Sequence, residues 1–104
     1  MQVLVNTDAS VQAPESLEQR VAAVVEDALE RFEQDITRVE VHLSDENAAK
    51  GGGDDKRCLM EARLAGHQPL VVSHKAPSME LAVTGAAEKL QHAVGNTLGR
   101  LRDR

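Results

Sequence analysis

The sequence predicts an α+β fold of order β-α-β-β-β-α, a four-stranded mixed sheet with two helices packed on one of its faces. Three observations predict it. Two long segments repeat apolar residues at the 3.6-residue spacing of a helix, and four short segments alternate apolar and polar residues with period two. Each element has only one apolar face, so the economical packing sets both helices on the same side and leaves the other sheet face to water or a partner.

Strand one is Gln2–Thr7, β-branched and short, with Val3 and Val5 on one face and a polar turn at Asp8 to Ser10. Pro14 stands where a first helical turn accepts proline, and Leu17, Val21, Val24, Val25, Ala28, Leu29 and Phe32 follow at helical spacing, predicting a helix over 14–32. From Ile36 the period becomes two: Val39, Val41 and Leu43 point one way, Arg38, Glu40 and His42 the other. Ser44 to Asp55 contains Gly51 to Gly53 among charged residues and reads as a long hairpin loop. Alternation resumes with Cys58, Met60, Ala62 and Leu64 on the inward phase. After a turn over 65–69 come Leu70, Val72 and His74 inward, with Val71, Ser73 and Lys75 outward. Ser78 is the expected N-cap of a last helix whose stripe runs from Met79 through Val83, Ala86, Leu90 and Val94 to Leu101. A strand joined to the next through a helix lies parallel to it by a right-handed crossover, whereas the three later strands pair as hairpins.

One domain over residues 1–104 is expected from the length. Phe32 is the only aromatic residue, so the core must be aliphatic, and the stacking platforms common in single-strand nucleic-acid binders are missing. A single cysteine cannot close an internal disulfide. No apolar stretch is long enough to span a membrane, and no signal pattern follows Met1, so no membrane partner and a cytoplasmic location are expected. The formal charge of −5 is unevenly spread. Residues 1–35 hold eight acids against Arg20 and Arg31, while the last sixteen residues hold Lys89, Arg100, Arg102 and Arg104 against Asp103. An acidic first helix and a mildly basic tail follow.

Little points to catalysis. His42, His67, His74 and His92 fall on a strand, a turn, another strand and the last helix, without the short spacings of a metal site. Cys58 reads as a small buried hydrophobe rather than a nucleophile, and His42 as a solvated strand residue. The Lys50-Gly-Gly-Gly-Asp-Asp-Lys56 stretch is a poor phosphate loop, because it leads into a strand and its aspartates repel phosphate. Asp54 and Asp55 read as a solvated hairpin tip rather than a cation site. Neither an enzyme nor a cofactor is expected. Arg100, Arg102 and Arg104 complement the negative end of the last helix or contact phosphate, and these readings stand side by side. On the open sheet face Arg38, His42, Arg57, Arg63 and Lys75 are offset by Glu40 and Glu61, the alternation of cross-strand pairing.

The residues nevertheless carry a resemblance. Leu29-Glu-Arg-Phe32 followed by Ile36-Thr-Arg-Val-Glu-Val-His-Leu43 resembles the helix-to-strand passage of the hibernation-promoting-factor family, also called protein Y or ribosome-associated inhibitor. Ser78-Met-Glu-Leu-Ala82 and Gly85-Ala-Ala-Glu-Lys-Leu90 are similar to the signature at the start of that family's last helix, and Met1-Gln-Val fits its N-terminus. The resemblance covers essentially the whole chain and is to the short form of the family. It implies a factor that docks on the small ribosomal subunit through 16S-type rRNA and silences translation under stress, without catalysis. It also implies rRNA contacts from basic residues of the two helices: Lys89 in the matching motif, and by position Arg100, Arg102, Arg31 and Arg20. Departures accompany it. Glu26, Asp27, Glu33 and Asp35 stand where relatives place several lysines or arginines, and Glu80 replaces the signature's tyrosine. Each missing phosphate contact removes counterion release and weakens salt-dependent binding. A second expectation follows, a protein-interaction module of the same fold that has lost rRNA binding and meets a basic protein through the acidic first helix.

Overall fold

In the computed structural model, residues 1–8, 11, 15–46 and 55–102 are described. The elements are β1 (Gln2–Thr7), α1 (Glu15–Ala28), a 3-10 turn (Glu30–Phe32), β2 (Ile36–Asp45), β3 (Lys56–Leu64), β4 (Leu70–Ala76) and α2 (Met79–Arg102). The strands lie in the order β1-β2-β3-β4, with β1 parallel to β2 and the other two pairs antiparallel. This is the α+β, β-α-β-β-β-α arrangement that the periodicities predict.

The alternation places one set of side chains beneath the helices. Val39, Val41 and Leu43 of β2 and Cys58, Met60, Ala62 and Leu64 of β3 are buried there, with Val3 and Val5 of β1 partly buried beside them. From above, α2 covers β3 and β4 with Ala82, Val83, Ala86, Leu90 and Val94, and α1 covers β1 with Val21 and Val25. The core is aliphatic apart from Phe32, and burying each Leu or Val contributes about 1.5–3 kcal/mol before entropy is subtracted.

Two boundaries differ from the sequence reading. The first helix does not run unbroken to Phe32. The N–H of Leu29 still bonds the Val25 carbonyl at 3.0 Å, but the N–H of Phe32 then bonds Leu29 at 2.9 Å, an i to i+3 closure that tightens the chain. Leu29 (0% exposed) and Phe32 (8%) both lie in the core, on either side of this tightened turn. Pro14, the expected start of this helix, lies outside the described residues. At the hairpin, β2 continues to Asp45 and the ladder extends one step further, the Glu46 N–H donating to the Asp55 carbonyl at 2.9 Å. Asp55 is therefore not part of a solvated tip: it is 5% exposed, with Lys56 Nζ 3.4 Å from its Oδ1 and 3.0 Å from Asp45 Oδ2. The hydrogen bond that Lys56 donates to Asp45, with the charge of both carboxylates, raises the Lys56 pKa. Gly51 to Gly53 and Asp54 lie outside the described residues.

The start of α2 follows the expected cap. The Leu81 N–H donates to Ser78 Oγ at 3.2 Å, satisfying one of the otherwise orphaned donors of the first turn. Among the described residues no helix is long and apolar enough to cross a membrane.

Candidate nucleic-acid interface

From Lys89 to Arg102, α2 contains no acidic residue, and four of its exposed side chains are Lys89, His92, Arg100 and Arg102. Helical geometry sorts them. Lys89 and Arg100 are three turns apart on nearly the same side, about 16 Å along the axis, whereas Arg102 projects from the opposite flank. On the β4 side, Lys89 Nζ donates to the Ser73 carbonyl at 2.9 Å. That bond anchors the ammonium at the sheet edge and leaves two of its three donors for another acceptor.

On the other flank Arg31 and Arg102 line one notch, together with Gln91, His92 and Asn96. Phe32 sets the position of Arg31: the guanidinium carbon lies 5.3 Å from the ring centroid, a cation–π arrangement. Arg102 Nη2 is 3.2 Å from Asp35 Oδ2, so part of its charge is already matched. Gln91 Nε2 donates to the Ala28 carbonyl at 3.0 Å, tying α2 to the end of α1. Of the five basic residues singled out by sequence, the structure thus brings together Arg31 and Arg102, while Lys89 and Arg100 lie three turns apart on the other flank of the same half of α2. Arg20 stands apart. It lies on α1 near the start of α2, with its Nη1 3.2 Å from Glu80 Oε1, and both side chains are more than 60% exposed.

The acids that set the net charge collect elsewhere. Glu26 and Asp27 at the end of α1, with Glu30 and Glu33 around the 3-10 turn, line a depression with Met1 and Ala23. The open sheet face is close to self-neutralised. In register, Glu40 faces Glu61 and Arg38 faces Arg63, so like charges sit opposite one another. Relief comes along the strands, Arg38 to Glu40 at 3.5 Å and Arg63 to Glu61 at 3.2 Å, and across them, Arg63 to Glu40 at 3.9 Å. Lys75 pairs with Glu46 at 2.9 Å.

Two groups considered for chemistry have structural roles. Cys58 is fully buried, and desolvation pushes its thiol up to about 12, far from a reactive thiolate. The His74 imidazole fills the space beside Gly85 of α2, where a side chain would overlap it. Among the described residues no three His, Cys, Asp or Glu side chains converge as a metal site would require.

Gln91, His92 and Asn96 were not marked as site residues by sequence reasoning. A signal was present: Gln91, Gly95, Gly99 and Arg102 follow one another at 4, 4 and 3 residues, a polar and glycine-lined strip on one flank of a helix.

The family described as "Sigma 54 modulation protein / S30EA ribosomal protein" matches residues 5–102. The chain belongs to that family. Among solved structures it is similar to the N-terminal domain of Thermus thermophilus Protein Y, with 17% identity and a TM-score of 0.74 over 93% of this chain and 99% of that one. It is also similar to a ribosomal subunit interface protein from Coxiella burnetii, with 14% identity and a TM-score of 0.71 over 95% of this chain and 99% of that one. No curated protein matches the sequence. At these identities the two structures establish the common fold, while membership of the family rests on the sequence match.

Proposed function

We propose that this protein is a ribosome-associated hibernation or stress factor, a cytoplasmic, non-enzymatic domain spanning residues 1–104 that binds small-subunit rRNA and down-regulates translation. The observation that carries this reading is the acid-free half of α2, which presents Lys89 and Arg100 on one flank and Arg102, with Arg31 beside it, on the other, while Glu26, Asp27, Glu30 and Glu33 line a separate depression. Such a surface binds phosphate backbones through counterion release, without a cofactor. Family membership and a structural relative titled as a ribosomal subunit interface protein support the ribosome as the source of that backbone.

The test is sedimentation of the tagged protein from stationary-phase cells through sucrose gradients at two salt concentrations. Co-migration with small subunits or whole ribosomes at low salt, and release as salt rises, is the expected result. Protein remaining at the top of the gradient at low salt contradicts it.

The acidic depression favours a second reading, an interaction module of the same fold that meets a basic protein. Charge separates the two. Reversing Lys89, Arg100 and Arg102 to glutamate abolishes ribosome association under the first reading and leaves partner binding intact under the second.

A further inference from the structure

The chain's only aromatic ring is spent on positioning an arginine. Phe32 is 8% exposed and wedged against α2 at Gly95, where an added Cβ would lie 3.3 Å from its Cζ. Above the ring sits the Arg31 guanidinium, which has no carboxylate partner among the described residues. Arg31 and Phe32 both line a notch of ≈ 340 Å³, at the lower end of the volumes that hold small ligands. Gly95 and Gly99 leave the helix backbone low there, and nothing stands within 4 Å of the position a Gly99 side chain would take. His92 and Asn96 supply hydrogen-bonding groups on the wall, and Arg102 a second guanidinium, held by Asp35.

We infer that this notch receives one ribonucleotide unit unstacked from an RNA strand, its base lying on the Arg31 plane and its phosphate at Arg102. The inference rests on the ribosomal reading and deepens it. A site for a bare anion would gain most from unpaired charge, yet one of its two guanidiniums already meets a carboxylate. What the notch offers instead is a planar cation placed over an aromatic ring, beside amide and imidazole groups suited to base edges. Arginine planes stack unpaired bases in RNA recognition much as aromatic rings do, so Arg31 on Phe32 supplies the platform that the aromatic-poor composition lacks.

The test uses the full-length, isotope-labelled protein, with amide NMR shifts followed during titration with AMP, GMP, CMP and UMP, and separately with ribose 5-phosphate and inorganic phosphate. Saturable shifts centred on Arg31, Phe32, Gly95 and Gly99 are expected for the nucleotides, with the two base-free anions binding about tenfold more weakly. R31K keeps the charge but loses the plane, and is expected to weaken nucleotide binding about tenfold. D35N frees Arg102 and tightens it, and R57A on the open sheet face leaves it unchanged. Equal binding of inorganic phosphate and nucleotide, wild-type affinity in R31K, or shifts located away from the notch overturns the inference. Binding to purified small subunits is measured on the same proteins. Subunit binding without nucleotide shifts overturns the notch alone. Nucleotide shifts without subunit binding overturn the ribosomal reading, and with it the RNA strand as the nucleotide's source.

Discussion

Cys58 and His74 are register partners on the inward face of β3 and β4, and each constrains the core differently. For Cys58, burial favours the neutral thiol, so its folded pKa lies near 12 against 9.0 for a free thiol. Between those values the unfolded chain sheds a proton that the native chain keeps, and stability must fall as pH rises, by up to ~1.4 kcal/mol per unit. Lys56, whose pKa is raised from 10.5, adds a decline of the same sign toward the top of this range, and comparison with C58A isolates the share of the thiol. Urea denaturation between pH 8.5 and 11 is expected to show this decline, with a shallower slope in C58A. A thiol reagent at pH 8 is expected to label the native protein no faster than it unfolds. For His74, G85A is expected to cost about 1–3 kcal/mol by overpacking, and H74A in the same chain to recover much of that loss, because the alanine then occupies vacated space. The inward phase of both residues was legible from alternation along their strands. That His74 needs a glycine eleven residues later was not, since the two meet only once α2 folds back over β4.

At the scale of elements, strand phase and helix stripe were readable because each is repeated several times within one segment. Single events at the ends were read less evenly. Ser78 announced its cap, since a hydroxyl before an apolar-periodic run has few other uses. S78A is expected to lower stability by about 1 kcal/mol, read as a shift of the thermal midpoint with an unchanged native spectrum. The break at Leu29 carried no comparable signal: neither glycine nor proline marks it, and it exists because Leu29 and Phe32 are both drawn into the core. Likewise Asp55 was read as solvated from its glycine-rich neighbourhood, whereas the ladder bond from Glu46 and the ammonium of Lys56 hold it inside. Both differences arise from tertiary contacts that local composition does not encode.

At the scale of the whole molecule, the proposed rRNA target is compatible with a net charge of −5 only if the charges are separated in space. Glu26, Asp27, Glu30 and Glu33 share one depression and the far half of α2 is free of acids, so under the proposed function attraction to phosphate is local and short-ranged, fading over a Debye length of about 8 Å at physiological salt. The basic tail was visible in the sequence as an uneven distribution. Which bases share a region was not, because Arg20 is placed beside Glu80 near the start of α2, whereas Arg102 is held by Asp35 and Lys89 by Ser73 on its far half, all through contacts between elements distant in sequence. It follows that R20A should leave ribosome binding nearly unchanged while alanine at Arg31 or Arg100 weakens it. The most direct measurement is the affinity of the purified protein for isolated small subunits as a function of salt. With about three phosphate contacts at roughly 0.7 each, log K should fall against log salt with a slope of roughly −2, losing about 0.7 for each contact removed at Lys89, Arg100 or Arg102. A slope near zero, or one that these substitutions leave untouched, would contradict the assignment of this surface to rRNA.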